Sequence, residues 1–413
     1  MEFNHCVSLQ EAFALVMNHV SEQAITAEKV PLANCLGRTA AVDITAKEAL
    51  PAFSRSTVDG FAINSADTFG ATEGIPALLA LTGEVLMGQP NGLTVETGQA
   101  VAIPTGGKLP PGTDAVVMLE YTEVPDKHSV LIAKAAAPGE NVIAKGEDFA
   151  TGDIIVRRGH VISPQVIGAL AACGYSHLPV SQRPHVAIIS TGDELVDVGT
   201  EIVAEGQIRD INSYALAAML EQLGCSVKRA GIVPDNYDTL RQVLNEALAT
   251  SQLVIISGGS SVGTRDHTVR VLQSYVEDNS VLFHGITIKP GKPTIFGMVG
   301  KIPVFGLPGH PVSAMTICHV LIKPLVAALL GQPCLEPPRR IMAQITRNVA
   351  SAPGRDDFVR VKLRRLDGNY WAEPIFGKSG LISTYLQADG IIHITAMKSG
   401  LYREDWVEVE LLP

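Results

Sequence analysis

The stretch Ile255-Ile256-Ser257-Gly258-Gly259-Ser260-Ser261-Val262-Gly263-Thr264-Arg265-Asp266 decides the fold. An apolar run that reads as a buried strand passes through a turn of glycine and serine into a segment able to start a helix. Gly306-Leu307-Pro308-Gly309-His310-Pro311-Val312-Ser313-Ala314 repeats the arrangement. This is how an α/β protein builds an anion site: glycines let the backbone approach a ligand, unpaired amides at the helix start point toward it, and serine hydroxyls add donors without bulk. Between the two loops stands Ile288-Lys289-Pro290-Gly291-Lys292-Pro293, with Lys289 and Lys292 each directly before a proline. Cations on a stiff loop beside two glycine turns predict a phosphate or oxyanion pocket. No Gly-Lys-Ser/Thr closes the first loop, so it is not a Walker A motif.

Outward from these loops, the chain alternates regularly from Val186 onward. It reads as strand Val186 to Ser190, helix Ser213 to Leu223, strand Ser226 to Gly231, helix Asp238 to Ala249, strand Leu253 to Ser257, two further apolar runs, and a long helix to Leu330. That order predicts a doubly wound, mostly parallel sheet, with the ligand at the carboxyl edge of its strands. Residues from about 50 to 140 form short apolar runs broken by Gly, Pro and Thr and read as a β-rich module. Ser8-Leu9-Gln10-Glu11 has capping-box spacing before an apolar stripe through Ala12, Leu15 and Val16, and Ser163-Pro164 opens another helix. A proline-rich break at 332–339 precedes a tail that reads as a small β-barrel or sandwich. The fold class is therefore α/β multidomain.

The length exceeds what one hydrophobic core usually organises. With 32 Lys and Arg against 42 Asp and Glu, a net charge of −10 argues against nucleic acid as a partner and requires any anion to be captured locally. The six cysteines show no zinc or redox spacing and read as buried, reduced thiols. With no signal core and no uninterrupted apolar run near membrane-spanning length, the expectation is a cytoplasmic protein without membrane association.

Several polar groups fall at the predicted ligand edge. Ser190-Thr191-Gly192-Asp193-Glu194 follows the first strand, Asp235 follows the second, and Asp266 lies beyond the glycine loop. Acids beside an anion cradle repel the anion unless a cation stands between them, which points Glu194, Asp235 and Asp266 to Mg²⁺. The plainer reading makes Asp193 and Asp266 helix caps. Upstream, Arg55-Ser56-Thr57-Val58-Asp59-Gly60 and Pro104-Thr105-Gly106 are polar turns that serve equally well as Asx or Ser/Thr turns. His310 reads as a ligand, a base or a loop residue.

These motifs, together with Gly146-Glu147-Asp148, Pro353-Gly354-Arg355 and Lys378-Ser379-Gly380, occur in the order found in the molybdopterin molybdenumtransferases, the MoeA and gephyrin E-domain family, which the chain resembles over nearly its whole length. The resemblance implies a discontinuous linking domain at 1–47 and 140–182, a β-rich module at 48–139, an α/β molybdopterin-binding domain at 183–331 and a C-terminal β-barrel at 332–413. It implies insertion of molybdate into adenylylated molybdopterin with Mg²⁺ and release of AMP. Partners implied are a second copy of the chain, whose β-rich module completes the cleft, a molybdopterin adenylyltransferase and molybdoenzyme-maturation proteins. Carried over position by position, Asp59, Thr105, Glu194, Asp235 and Asp266 are the catalytic groups, with Glu194, Asp235 and Asp266 also holding metal. Ser190, Thr191, Gly192, Ser257, Gly258, Gly259, Ser260, Ser261 and Gly263 line the pterin loops. Lys289, Lys292, Pro293 and Ser313 belong to the oxyanion pocket, Arg355 and Ser379 complete the molybdate site, and Pro308, Gly309 and Pro311 are further cofactor-binding positions. His310 stands where the family often has Asn, and Ser260 where Val is common. A cofactor-holding scaffold without turnover, a tungstate-preferring insertase and an adenylyltransferase are the competing readings.

Overall fold

The computed structural model describes residues 6–20, 26–90, 92–258, 267–275, 281–332 and 339–412. Its centre is a six-stranded sheet in the order Ser226–Val233, His185–Thr191, Leu253–Ser257, Ile302–Leu307, Ile295–Val299, Val281–His284. The first four strands are parallel. The last two are antiparallel additions, so the late apolar runs form a hairpin rather than a further crossover. Val281–His284 is too short for its periodicity to be read in the sequence.

Both faces of this sheet are covered, and the sequence shows why. Along Leu253–Ser257, Leu253 and Ile255 enter one core while Val254 and Ile256 enter the other, and Val186 and Ile188 alternate with Ala187 and Ile189 in the same way. Such strands are buried on two sides and read as continuous apolar runs. Helices Asn212–Gln222 and Pro311–Ile317 pack on the first face; Tyr237–Leu248 and His267–Gln273 pack on the second. The helical stretch Pro311–Leu329 has the length and composition of a membrane span, but 67% of its apolar window is buried, as expected of a core helix.

The N-terminal helix Leu9–Val20 starts with the expected capping box. The Ser8 backbone N–H donates to Glu11 Oε2 at 2.8 Å, and the Glu11 N–H donates back to Ser8 Oγ at 3.2 Å. Its Ala12 and Val16 enter the first core of the α/β sheet, so this helix packs away from the segment that follows it. Strands Ala27–Pro31 and Ile44–Thr45 pair instead with His177–Ser181 and Ile154–Val156, around a separate core that includes Ile162 and Leu170. The intervening β-rich region forms a six-stranded sheet of its own. Of the cysteines, Cys35, Cys173, Cys225 and Cys318 are buried, whereas Cys6 is exposed, contrary to expectation; Cys334 lies outside the described residues.

In the C-terminal region, strands Asp356–Leu366, Asn369–Pro374, Arg340–Ile345, Trp406–Leu411 and Gly390–Ile394 pair in turn, and the last returns to the first. The ring is a closed barrel, the alternative the tail sequence left open. Asp367-Gly368 closes one hairpin with both residues at positive φ, 50° and 83°, as a type I′ turn requires. The barrel docks on the α/β domain through Glu410, whose Oε1 lies 2.9 Å from His319 Nε2 and 3.9 Å from Lys323 Nζ. Burial raises the Glu410 carboxyl, but the His319 hydrogen bond and the charges of His319, Lys323 and Arg340 outweigh it and hold the group below its ordinary value.

A carboxyl depressed in the folded state stabilises that state above its unfolded pKa, and the contribution is lost as pH falls through the folded value. Glu410→Gln should therefore cost about 1–2 kcal/mol at neutral pH and progressively less in acid. Both tryptophans, Trp371 and Trp406, lie in the barrel. Urea unfolding followed by their fluorescence at pH 7 and pH 4 measures the difference; an equal loss at both values rules out the ionic account.

Candidate anion and pterin site

The carboxyl ends of the parallel strands converge as the sequence predicted, and two residues missed in it hold them together. Asp210 is buried and accepts from Ser190 Oγ at 2.7 Å and from the Ser213 N–H at 3.1 Å. Asn212 Nδ2 donates to Ser257 Oγ at 2.8 Å and to the Gly309 carbonyl at 2.9 Å, tying one glycine loop to the other. Neither has a spacing signal, because each acts through a partner distant in sequence.

Gly258 and Gly309 meet closely enough that a Cβ on Gly309 would lie 4.0 Å from the Gly258 Cα. Beside them Thr191 Oγ1 is buried with no hydrogen-bond partner among the described residues. An orphaned hydroxyl at a strand's carboxyl edge, where two glycine turns expose backbone, fits a bound polar ligand. Gly259, Ser260, Ser261, Gly263 and Asp266 lie outside the described residues.

The lysine loop is fixed from three sides. Ile288–Lys289 adds as a parallel strand to Asp356–Asp357 of the barrel. Thr294 Oγ1 donates to the Gly291 carbonyl at 2.7 Å, and the Ile286 N–H donates to the Lys292 carbonyl at 2.9 Å. Gly291 has φ +118°, and a Cβ there would sit 2.7 Å from the Ile317 Cδ1, so the loop lies directly on the helix that follows the second glycine turn.

This stitching opens a cavity of about 660 Å³ between the α/β domain and the barrel. Lys289, Lys292, Pro293, Pro308, Ser313, Arg355 and Ser379 all line it, four separated segments brought to one cavity. Its charged lining comprises Lys289, Lys292, Arg355, Arg360 and Lys378 against Asp357, a marked local excess of cations in a chain of net charge −10. Asp357 is buried and accepts from Arg355 Nε at 2.8 Å and Nη2 at 3.4 Å, so it orients Arg355. Ser379 Oγ lies 2.8 Å from His310 Nδ1, and the Val312 N–H donates to the Ser379 carbonyl at 3.1 Å. His310 therefore links the second glycine loop to the barrel.

Other predicted residues lie elsewhere. Thr105 donates to Asp59 Oδ1 through its N–H at 2.7 Å and its hydroxyl at 3.1 Å. This pair belongs to the β-rich module, none of whose described residues lines the cavity. Asp193 accepts from the Asp235 N–H at 3.0 Å rather than capping a helix. The Glu194 carboxylate folds over Gly192, within 2.8 Å of where a Cβ would stand. Among the described residues no three His, Cys, Asp or Glu side chains gather as a metal cluster. Glu194 and Asp235 are nonetheless hard carboxylate donors on adjacent loops, a donor set whose chemistry fits Mg²⁺ bound to phosphate.

Family models match the chain in order: the MoeA N-terminal region (domain I and II) at residues 7–174, the "Probable molybdopterin binding domain" at 187–328, and the MoeA C-terminal region (domain IV) at 342–412. A molybdopterin molybdenumtransferase of Staphylococcus aureus is 32% identical, covering 100% of this chain and 97% of that protein. One of Haemophilus influenzae is 35% identical over 81% of this chain and 80% of its own length. The crystal structure of a molybdopterin biosynthesis MoeA protein from Pyrococcus horikoshii superposes with a TM-score of 0.86 at 30% identity, covering 98% of this chain and 100% of that one.

Proposed function

The chain belongs to the MoeA family of molybdopterin molybdenumtransferases, and from that premise we propose that it inserts molybdate into adenylylated molybdopterin at the interdomain cavity, with release of AMP. The observation that carries this reading is the cavity's excess of cations, delivered to its lining by the lysine loop, Arg355 and Lys378. Molybdate carries two negative charges and loses hydration on entry. Lys292, Arg355, Ser313 and Ser379 replace that hydration with fixed charges and donors, so the work is positioning and electrostatics. Asp357 keeps the Arg355 guanidinium in one orientation at the wall. For Ser379 to give its proton to the oxyanion, its oxygen must accept from His310 Nδ1–H. His310 in the donor role thus leaves the Ser379 hydrogen free for the cargo.

The strand-end loops around Thr191, Ser257, Gly258 and Gly309 hold the pterin and its phosphate through backbone amides and hydroxyls. Mg²⁺ bound by Glu194 and Asp235 would neutralise phosphate oxygens of the adenylylated substrate. Asp59 and Thr105 stand outside the cavity wall of their own chain, which supports a homodimer in which the β-rich module of a second copy reaches the cleft.

The test is turnover of purified protein with adenylylated molybdopterin and Mg²⁺, with molybdate or tungstate, following AMP and metal-loaded cofactor. Oxyanion-dependent AMP release is expected. Tight pterin binding without AMP release under either oxyanion would leave a cofactor-holding scaffold in its place.

A further inference from the structure

We propose that Arg360 is an anion-binding residue of the cavity, supplying the buried guanidinium against which the oxyanion is held. The inference rests on the molybdate reading above and extends it to a residue outside the motifs that suggested it. Lys289, Lys292 and Lys378 are exposed, and Arg355 is committed to Asp357. Among the described cations lining the cavity, Arg360 alone is buried, at 8% exposure. Among the described residues its Nε has no hydrogen-bond partner, and no carboxylate there forms a hydrogen bond or ion pair with it.

The neighbouring ionisable group is Tyr385, whose hydroxyl is also buried, has no partner among the described residues and is kept protonated by burial. Asp357 on the cavity lining is engaged by Arg355, and Glu410, which acts on Tyr385, is engaged by His319. Burial lowers the Arg360 pKa from its ordinary value, yet a guanidinium stays charged at neutral pH. A buried cation without a counter-ion is unfavourable unless something of opposite charge joins it. The open space that Arg360 borders is the cavity, and the species its charge calls for is an anion.

The strand explains how the side chain comes to be there. In Asp356–Leu366, Val359 and Val361 turn into the barrel core, whereas Phe358 packs against the α/β core. Arg360 shares the face of Phe358, since side chains two apart in a strand lie on one face. It therefore stands between the two domains. The planar fork of a guanidinium matches two oxygens of a tetrahedral oxyanion, a geometry that an ammonium lacks.

Calorimetric titration with molybdate alone, for wild type, Arg360→Met, Arg360→Lys and Lys292→Ala, together with melting temperatures of the unliganded proteins, tests this. Arg360→Met should weaken molybdate binding about tenfold or more, with Arg360→Lys in between, and should melt at or above the wild-type temperature because an uncompensated charge is gone. If both Arg360 variants bind as tightly as wild type while Lys292→Ala does not, Arg360 is structural and the proposal is overturned with the functional reading intact. No binding by the wild type overturns both. Should Arg360→Met not fold, Arg360→Lys decides, and unchanged affinity in it is sufficient to reject the proposal.

Discussion

Lys292→Ala should lower oxyanion-dependent AMP release by about two to three orders of magnitude, the scale on which preorganised charges act in dry sites, while leaving the melting temperature nearly unchanged. The two effects separate because the residue has two roles carried by different atoms. Its backbone carbonyl holds the Ile286 N–H, and that bond survives truncation. Its side chain is exposed and lines the cavity, so removing it takes away a cation without opening a void in a core. The loop is already fixed by the barrel strand, by Thr294 and by the close approach of Gly291 to Ile317, so the ammonium is positioned before the anion arrives and little ordering is left for the reaction step. Turnover at saturating pterin with a molybdate series, run beside a thermal melt, reads both effects. Wild-type turnover in the variant would remove Lys292 from the oxyanion machinery, and a large fall in melting temperature would assign it a structural part instead.

The α/β order was legible because strands buried on both faces leave unbroken apolar runs, and in Leu253–Ser257 the first four residues alternate between one core and the other. The capping box at Ser8 was legible because all of its partners lie within one helical turn. Asp210, Asn212, Asp357 and Arg360 were not, and their silence has one cause: each acts through a contact that only the folded chain creates. Asn212 reaches Ser257 and Gly309 across the sheet edge, and Arg360 becomes a buried charge only once the barrel seats against the α/β core. The tail sequence allowed a sandwich or a barrel because closure depends on Gly390–Ile394 returning to Asp356–Leu366, a pairing that leaves no mark in either strand alone. The lysine loop lies between these extremes. Its composition suggested rigidity, but that Ile288–Lys289 extends the barrel sheet, and so carries the cations to Arg355, required the structure.

Gly258→Ala should abolish measurable binding of adenylylated molybdopterin and destabilise the α/β domain by about 1–3 kcal/mol, the usual cost of forcing a side chain into a sparsely populated backbone region. Gly258 has φ +110°, and a Cβ there would lie 2.1 Å from the Thr191 carbonyl oxygen and 2.9 Å from Thr191 Oγ1. Both obstacles belong to the end of the neighbouring strand, His185–Thr191, which is clamped in the sheet on either side. Neither can yield without moving Ser190, whose hydroxyl is held by buried Asp210. The alternative is displacement of the Gly258 turn itself, and its N–H is bonded to the Leu307 carbonyl at 3.1 Å, at the root of the second glycine loop. One methyl group therefore disturbs both loops proposed to cradle the pterin phosphate, including the Gly309 carbonyl that Asn212 holds. Gly74→Ala is the matched control: it lies in the β-rich region, has nothing within 4 Å of its Cβ position and no positive φ, and should bind and melt as wild type. Pterin fluorescence titration with thermal melts compares the two. Normal binding by Gly258→Ala would mean that the ligand does not depend on this close backbone approach, and the pterin would have to be placed elsewhere than at the two glycine turns.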